Sequence, residues 1–345
     1  MGKANPVPDV SVIVTCYNLE RYVGEAIESV LSQDFAGTVE IIVVDDCSSD
    51  GSADKIRAFP SVQYVRTESN SGVLLATIRG LQAASADVVF FLDGDDRWEK
   101  TKLSKVLPVF ASDRHIGLVT HDLVYIDAAG EPLQRRSRPE VVFAGVPEEE
   151  WGETVRAGIL ELDDYVWLGS AFAIRKSVAD VEGFIDFAMS LPDPRNTYQD
   201  WPLAYWIAAQ AQVDLRYVPA KLFQYRLHEF NHSGDARTNE RMLRNVTRTL
   251  NTTNASLEIA RARDLPEGIV RIVEKRLAFY DYRINVASGR RGRALAGFLR
   301  NAPELRRRGL LFKELVRLLA VQVLGPERFA RVAASRKILR NLPVS

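Results

Sequence analysis

A doubly wound α/β fold, with a mostly parallel sheet flanked by helices and a C-terminal helical extension, is predicted by three observations. VVFFLD (88–93) opens with five apolar residues and no polar alternation, the pattern of a strand buried on both faces, and VSVIVTC (10–16) and VEIIVVD (39–45) read as further core strands. Between them lie stretches of helical periodicity, so strand and helix alternate as in parallel βαβ units. Beyond His232 strand signals fade and the chain reads as helix almost throughout. A chain of 345 residues exceeds what one core usually holds. The boundary is expected near 235, giving an α/β domain over 1–235 and a basic helical extension over 236–345.

Each element has its own reason. The first strand leads into a helix from about Glu20 to Gln33, and the second into a short helix opened by the Ser/Asp cluster at 48–52. SVQYVR (61–66) is a third strand, Gly72 to Ala84 a helix, and the fourth strand ends at Asp93. From 114 the rhythm changes. HIGLVTHDLVYID is a longer strand, AAGEP a turn, 133–148 an irregular stretch, 149–161 a helix and 170–175 a strand. A helix over 199–210 and a strand pair through VDLRYVPAKLFQYRLH complete the first domain. The extension is expected to break at Pro266, Pro303 and Pro326.

Composition excludes several classes. A hydrophobic fraction of 46% and a charged fraction of 26% are ordinary for a soluble globular protein. The zero net charge conceals an asymmetry: residues 286–345 carry 14 Lys and Arg against 3 Asp and Glu, net +11, and the remainder nets −11. Two cysteines, Cys16 and Cys47, are too few for a disulfide framework and are expected as reduced, buried thiols of a cytosolic protein. MGKANPVPDV has no apolar leader, and no apolar run approaches the ~18 residues of a spanning helix. A cytoplasmic protein, soluble or peripheral on the inner face of a membrane, is expected. The first strand-to-helix turn, TCYNLERY, is not G-x-G-x-x-G, and no GxxxxGK[ST] loop occurs, which excludes dinucleotide-binding and P-loop folds.

Chemistry-bearing residues gather where strands end. Ligands of open α/β sheets collect beyond the carboxyl ends of the strands. There the fourth strand finishes in Asp93, Asp95 and Asp96, like charges that a divalent cation with a phosphate ligand would neutralise. Thr15, Tyr17 and Asn18 after the first strand suit stacking on, and hydrogen bonding to, a nucleobase, although Tyr17 equally suits a helix staple. The second strand ends in Asp45 and Asp46; Asp50 and its serines suit a helix cap. Asp200, at the start of an apolar helix in YQDWPLAYW, is either a first-turn acid held by the helix dipole or a general base raised by desolvation. His228 and His232 close the last strand, where imidazole suits metal ligation, phosphate contact or a structural role.

Taken in order, VSVIVTCYN, VVDDCSSDGS, SNSG, FLDGDDRWEKTKL, GF followed by QDW, and YRLHEFNHS resemble the inverting family 2 glycosyltransferases of the Rossmann-like GT-A fold over about residues 9–234. Members of this kind build bacterial polysaccharides and glycoconjugates. The resemblance implies transfer of a sugar from a nucleotide-diphosphate donor, a UDP- or dTDP-sugar favoured, to a saccharide or lipid-linked acceptor with inversion. It implies that Thr15, Tyr17, Asn18 and Asp46 contact base and ribose, and that Asp93 and Asp95 form the DxD element. Asp93 would then meet ribose or metal-bound water, and Asp95 would ligate Mn²⁺ or Mg²⁺. Asp200 matches the acceptor-activating base, and His228 a histidine that assists the metal or diphosphate. The chain departs from the pattern where Ala76, Thr77 and Ile78 replace an expected Ala-Arg-Asn, and where Gln199 replaces a glutamate before Asp200.

Two other classes remain in view. DGDD echoes the nucleophile loop of haloacid-dehalogenase-like phosphotransferases, but those carry it on the first strand. A nucleotide-sugar-binding scaffold without turnover would account for the departures at 77, 78 and 199, against the retention of Asp93, Asp95 and Asp200. Trp151, Trp167 and Ser170 are expected on the acceptor side. In the tail, Leu311, Leu315, Leu318 and Leu319 are read as one helical face following Arg306–Arg308. That face suits packing on the catalytic domain, on a second subunit or on an anionic leaflet. Nucleic acid is not an expected partner, because the basic segment has few interleaved aromatics.

Overall fold

A computed structural model describes residues 7–163, 169–228 and 239–335. The predicted strands are β1 (Val10–Cys16), β2 (Val39–Asp45), β3 (Val62–Arg66) and β4 (Val88–Asp93), followed by β5 (Arg97–Trp98), β6 (Ile116–Ile126), β7 (Ala173–Arg175) and β8 (Asp214–Arg226). They form one sheet in the order β3-β2-β1-β4-β7-β6-β8-β5. The first four are mutually parallel, whereas β7 runs antiparallel to both β4 and β6. The sheet is thus parallel in one half and mixed in the other, and its parallel half carries the runs that lack polar alternation.

The helices α1 (Val23–Leu31), α2 (Ser52–Arg57) and α3 (Val73–Ala83) connect the parallel strands. Val23, Ala26, Ile27 and Val30 of α1 are buried at the i, i+3, i+4, i+7 spacing of a single face. That face joins Val12, Val14, Phe90 and Leu92 in the core. The structure adds elements that periodicity does not announce: β5, α4 (Lys102–Ser112) and the short α5 (Arg138–Phe143). After the predicted α6 (Trp151–Leu160), it also adds α7 (Lys176–Ala179) and α8 (Val181–Ser190), before α9 (Asp200–Ala208). The strand pair predicted through VDLRYVPAKLFQYRLH (213–228) is a single strand, β8. His121 pairs with Val218 and Asp122 with Lys221, so Pro219 and Ala220 bulge from the ladder. Proline has no N–H to give to a ladder, and the strand bends there instead of turning back.

The chain divides into two compact units, Met1–Leu227 and His228–Ser345; the expected boundary at 235 lies outside the described residues. The second unit consists of α10 (Asn239–Ala262), α11 (Glu267–Ala287), α12 (Arg291–Arg307), α13 (Leu311–Leu324) and α14 (Pro326–Ser335). Pro266 caps α11 and Pro326 opens α14, but Pro303 lies inside α12 and does not break it. It is exposed, so water can meet the carbonyl that its missing N–H leaves without a donor. Of the tail leucines, Leu318 is buried, Leu311 packs against the same core, and Leu315 and Leu319 are exposed, so the face they share on α13 is covered along one edge only. Among the described residues no helix is long and apolar enough to cross a membrane. Cys16 is buried and its thiol is pushed up to about 12 by burial, while Cys47 is only half-buried, contrary to expectation; both are free.

Candidate active site

The carboxyl ends of β1, β2 and β4 form one edge of the sheet, because Thr15 is in register with Asp93 and Cys16 with Asp45. Two acidic groups stand there in different states. Asp46 turns its carboxylate into the loop after β3. Its Oδ1 accepts from Thr67 Oγ1 (2.9 Å), Ser71 N (2.7 Å) and Ser71 Oγ (2.6 Å), and its Oδ2 from Gly72 N (2.8 Å). Four bonds use about all the lone-pair sites of a carboxylate. Asp46, expected to contact base or ribose, holds the 67–72 loop in this arrangement. Asp45 is likewise taken, by Ser48 N at 2.8 Å, Tyr64 Oη at 2.7 Å and Arg66.

The group after β4 is not compensated in this way. Asp93 Oδ1 accepts from Thr15 Oγ1 (3.1 Å) and Gln199 Nε2 (3.2 Å). Burial, then the charges of Asp95 and Asp200, push its carboxyl up to about 7. Asp200 opens α9. Its Oδ1 accepts the Trp201 N–H at 2.9 Å, and burial raises it to about 6 despite that bond. The two carboxylates meet over Gly169, whose φ is +65°: a methyl there would stand 3.4 Å from Asp93 Oδ2 and 3.7 Å from Asp200 Oδ2. The fourth strand and the ninth helix thus deliver their acids to one spot, which a side chain would fill.

Residues that the sequence reading left without roles hold this spot in shape. Ser170 Oγ accepts the Asp93 N–H at 3.0 Å and donates to Asp96 Oδ2 at 2.7 Å. Asp96 is buried and also accepts the Arg226 N–H at 3.0 Å, so it anchors the turn from inside. The Arg226 side chain, 1% exposed, donates from Nε to the Asp95 carbonyl (2.8 Å) and from Nη2 to Glu25 Oε2 (2.7 Å), with Tyr22 beneath it. Lys102, also buried, donates to the Ser170 carbonyl at 2.5 Å and lies over Trp98. A lone arginine closing the strand QYR, and a lysine in FLDGDDRWEKTKL, were the only sequence signals of this scaffold.

On the other side of the site, Asn18 adopts φ 55° and its Oδ1 accepts Ser49 N at 2.8 Å, joining the turns after β1 and β2. The Tyr17 ring is 37% exposed and free to stack. Thr77, where an arginine was expected, is buried with an unpartnered hydroxyl. Trp151 packs on Phe143 and Tyr217. Trp167 and His232 lie outside the described residues, and His228 belongs to the second unit.

The donor set after β4 consists of hard carboxylate oxygens crowded against like charge, which fits a divalent cation of the Mg²⁺ or Mn²⁺ type. Among the described residues no group of three or more His, Cys, Asp or Glu is placed to hold a metal. A bound cation would therefore take the rest of its coordination from phosphate and water.

Residues 11–179 match the Glycosyl transferase family 2 model. The chain is 40% identical over 104 residues to the glycosyltransferase TuaG of Bacillus subtilis, covering 29% of this chain and 41% of that one, so it spans about two fifths of that relative. Among solved structures it resembles Staphylococcus aureus TarS 1-349 in complex with UDP-GlcNAc, with TM-score 0.57, 17% identity, and 95% and 90% of the two chains covered. It also resembles the mannosyltransferase PcManGT of Pyrobaculum calidifontis in complex with GDP-Man and Mn²⁺, with TM-score 0.54, 17% identity, and 98% and 89% covered. Residues 11–179 of the 345 are thus similar to glycosyltransferase family 2, and the sheet that carries them is of the GT-A type.

Proposed function

We propose that this chain is an inverting glycosyltransferase, moving a sugar from a nucleoside-diphosphate donor to a hydroxyl of a saccharide or lipid-linked acceptor with Asp200 as the base. The observation that carries the reading is the convergence of Asp93 and Asp200 on the bare Cα of Gly169. Asp200 Oδ1 is held by the Trp201 N–H, leaving Oδ2 to take the acceptor's proton. As that proton leaves, the acceptor oxygen bonds to the anomeric carbon while the bond from that carbon to the diphosphate oxygen breaks, and attack from the opposite face inverts configuration. A cation held by Asp95, with Asp93 beside it, would supply Lewis-acid stabilisation of the departing diphosphate.

The other residues position these groups. Tyr17 offers a ring to the base and Asn18 its amide, Thr15 fixes Asp93, and Asp46 orders the 67–72 loop beside the nucleotide. A uridine or thymidine diphosphate sugar is favoured, and the relative bound to UDP-GlcNAc supports that choice. The test is a thermal-shift series of nucleoside diphosphates and their sugars with and without Mn²⁺, since a ligand that binds only the folded state raises the melting temperature. The expected result is a rise for one nucleotide family that needs the cation. No rise with any of them would sink the proposal, as would turnover surviving in Asp200→Asn.

A further inference from the structure

The second unit displays an exposed apolar surface on residues that have no place in the candidate site described above. On α13, Leu318 and Val321 face inward with Tyr282, Val286, Phe298 and Leu305 in the unit's own core. The opposite side is apolar as well: Phe312 is 71% exposed, Val316 39%, Leu319 55% and Val323 82%. Steps of four, three and four residues put these four side chains on one stripe of the helix. A helix whose only role is packing keeps such a stripe polar, and a contiguous exposed apolar strip marks a docking surface. On α12, Leu295 and Leu299, one turn apart, are exposed too.

Charge selects the occupant. Residues 286–345 net +11, and Arg293, Arg300 and Arg306 of α12 and Arg328 of α14 are exposed. A second copy seated on the stripe would bring the same excess of positive charge against it, and like-charge juxtaposition disfavours that pairing. An anionic bilayer attracts the arginines through its headgroups and accepts apolar side chains at the headgroup–acyl boundary. No described helix can span the bilayer, so the contact lies in the interface plane. We propose that the outward face of α13 seats on an anionic lipid surface, with Phe312, Val316, Leu319 and Val323 entering the boundary and the surrounding arginines on the headgroups. This inference is independent of the transferase reading.

The experiment is flotation of the full chain with vesicles of phosphatidylcholine alone or with added phosphatidylglycerol, at low and high salt. The expected result is flotation with the anionic vesicles that weakens as salt rises, since screening shortens the reach of surface charge. The bound fraction should fall by about tenfold in Phe312→Asp/Val323→Asp, with no change in melting temperature because both side chains are exposed. Arg300→Gln/Arg306→Gln should weaken binding and flatten the salt dependence. Absence of flotation on anionic vesicles at low salt overturns the proposal. Undiminished flotation by the Phe312/Val323 variant also overturns it, as does a dimer in light scattering that this variant dissolves, which would make a second copy the occupant.

Discussion

Strands β2 and β4 belong to the same parallel half-sheet, both are mainly apolar, and both lead into acids at their carboxyl ends, yet the protein treats the two ends in opposite ways. At the end of β2, Asp45 and Asp46 meet backbone N–H groups, hydroxyls and Arg66 from the surrounding turns. At the end of β4, Asp93 meets one hydroxyl, one amide and two further carboxylates. The first arrangement is finished and holds a loop. The second is charged beyond what its own donors offset, and the proposed function places a cation and a diphosphate there. Identical sequence signals thus separate only when the partners are known.

The contrast can be broken by mutation. Asp200→Asn is expected to lower kcat by about 10²- to 10⁴-fold, the usual contribution of a general base, with no loss in the urea midpoint. Asp46→Ala is expected to do the reverse, costing about 3 kcal/mol of stability because several loop donors lose their acceptor at about 1–3 kcal/mol each; here the urea midpoint falls and kcat moves far less. If the two variants exchanged phenotypes, the contrast would be wrong. Gly169→Ala is expected to cost about 1–2 kcal/mol from the left-handed backbone alone. Its methyl would also occupy the space between the two carboxylates, in van der Waals contact with both, so kcat should fall with stability.

The smallest effects sharpen the contrast through pH. Asp200, raised to about 6, must be ionised to accept a proton, so kcat/KM should rise with pH through about 6 and then level off, and a rate–pH profile checks this. Asp93 is raised from 3.8 to about 7, so the stability it contributes is fully present below 3.8 and is lost as pH climbs through 7. Without cation, Asp93→Asn should flatten that loss. At pH 8 the variant should melt about 2–4 °C above wild type, the shift that about 1 kcal/mol produces in a domain of this size. Mn²⁺ should stabilise wild type more at pH 8 than at pH 5.

What could be read from sequence follows from how local each signal is. The runs at 10–16, 39–45 and 88–93 declare buried strands because apolar residues dominate them without strict alternation, and the residues at their ends follow directly. β5 has two residues, too short for any period, and α4 carries Pro108, which argues against helix, whereas the short strand expected over 170–175 is present as β7. The strand pair expected at 213–228 fails because Pro219 reads as a turn and acts as a bulge. Asp200 is legible from its place at the start of an apolar helix, but the roles of Gly169, Ser170 and Arg226 are not. Each acts through a partner at least 70 residues away, and no window of sequence contains both ends.

Arg226 has a consequence for how the protein is made. Its contact with the Asp95 carbonyl spans 131 residues, so the turn after β4 is completed only when the last strand of the sheet arrives. At translation speeds of about 5–20 residues per second, the ribosome needs roughly 6 to 26 s to travel from one codon to the other. For that interval the nascent chain holds the aspartates without the guanidinium that organises them. A gene truncated after residue 179 would encode the whole family match and still lack the residue that sets its acidic turn.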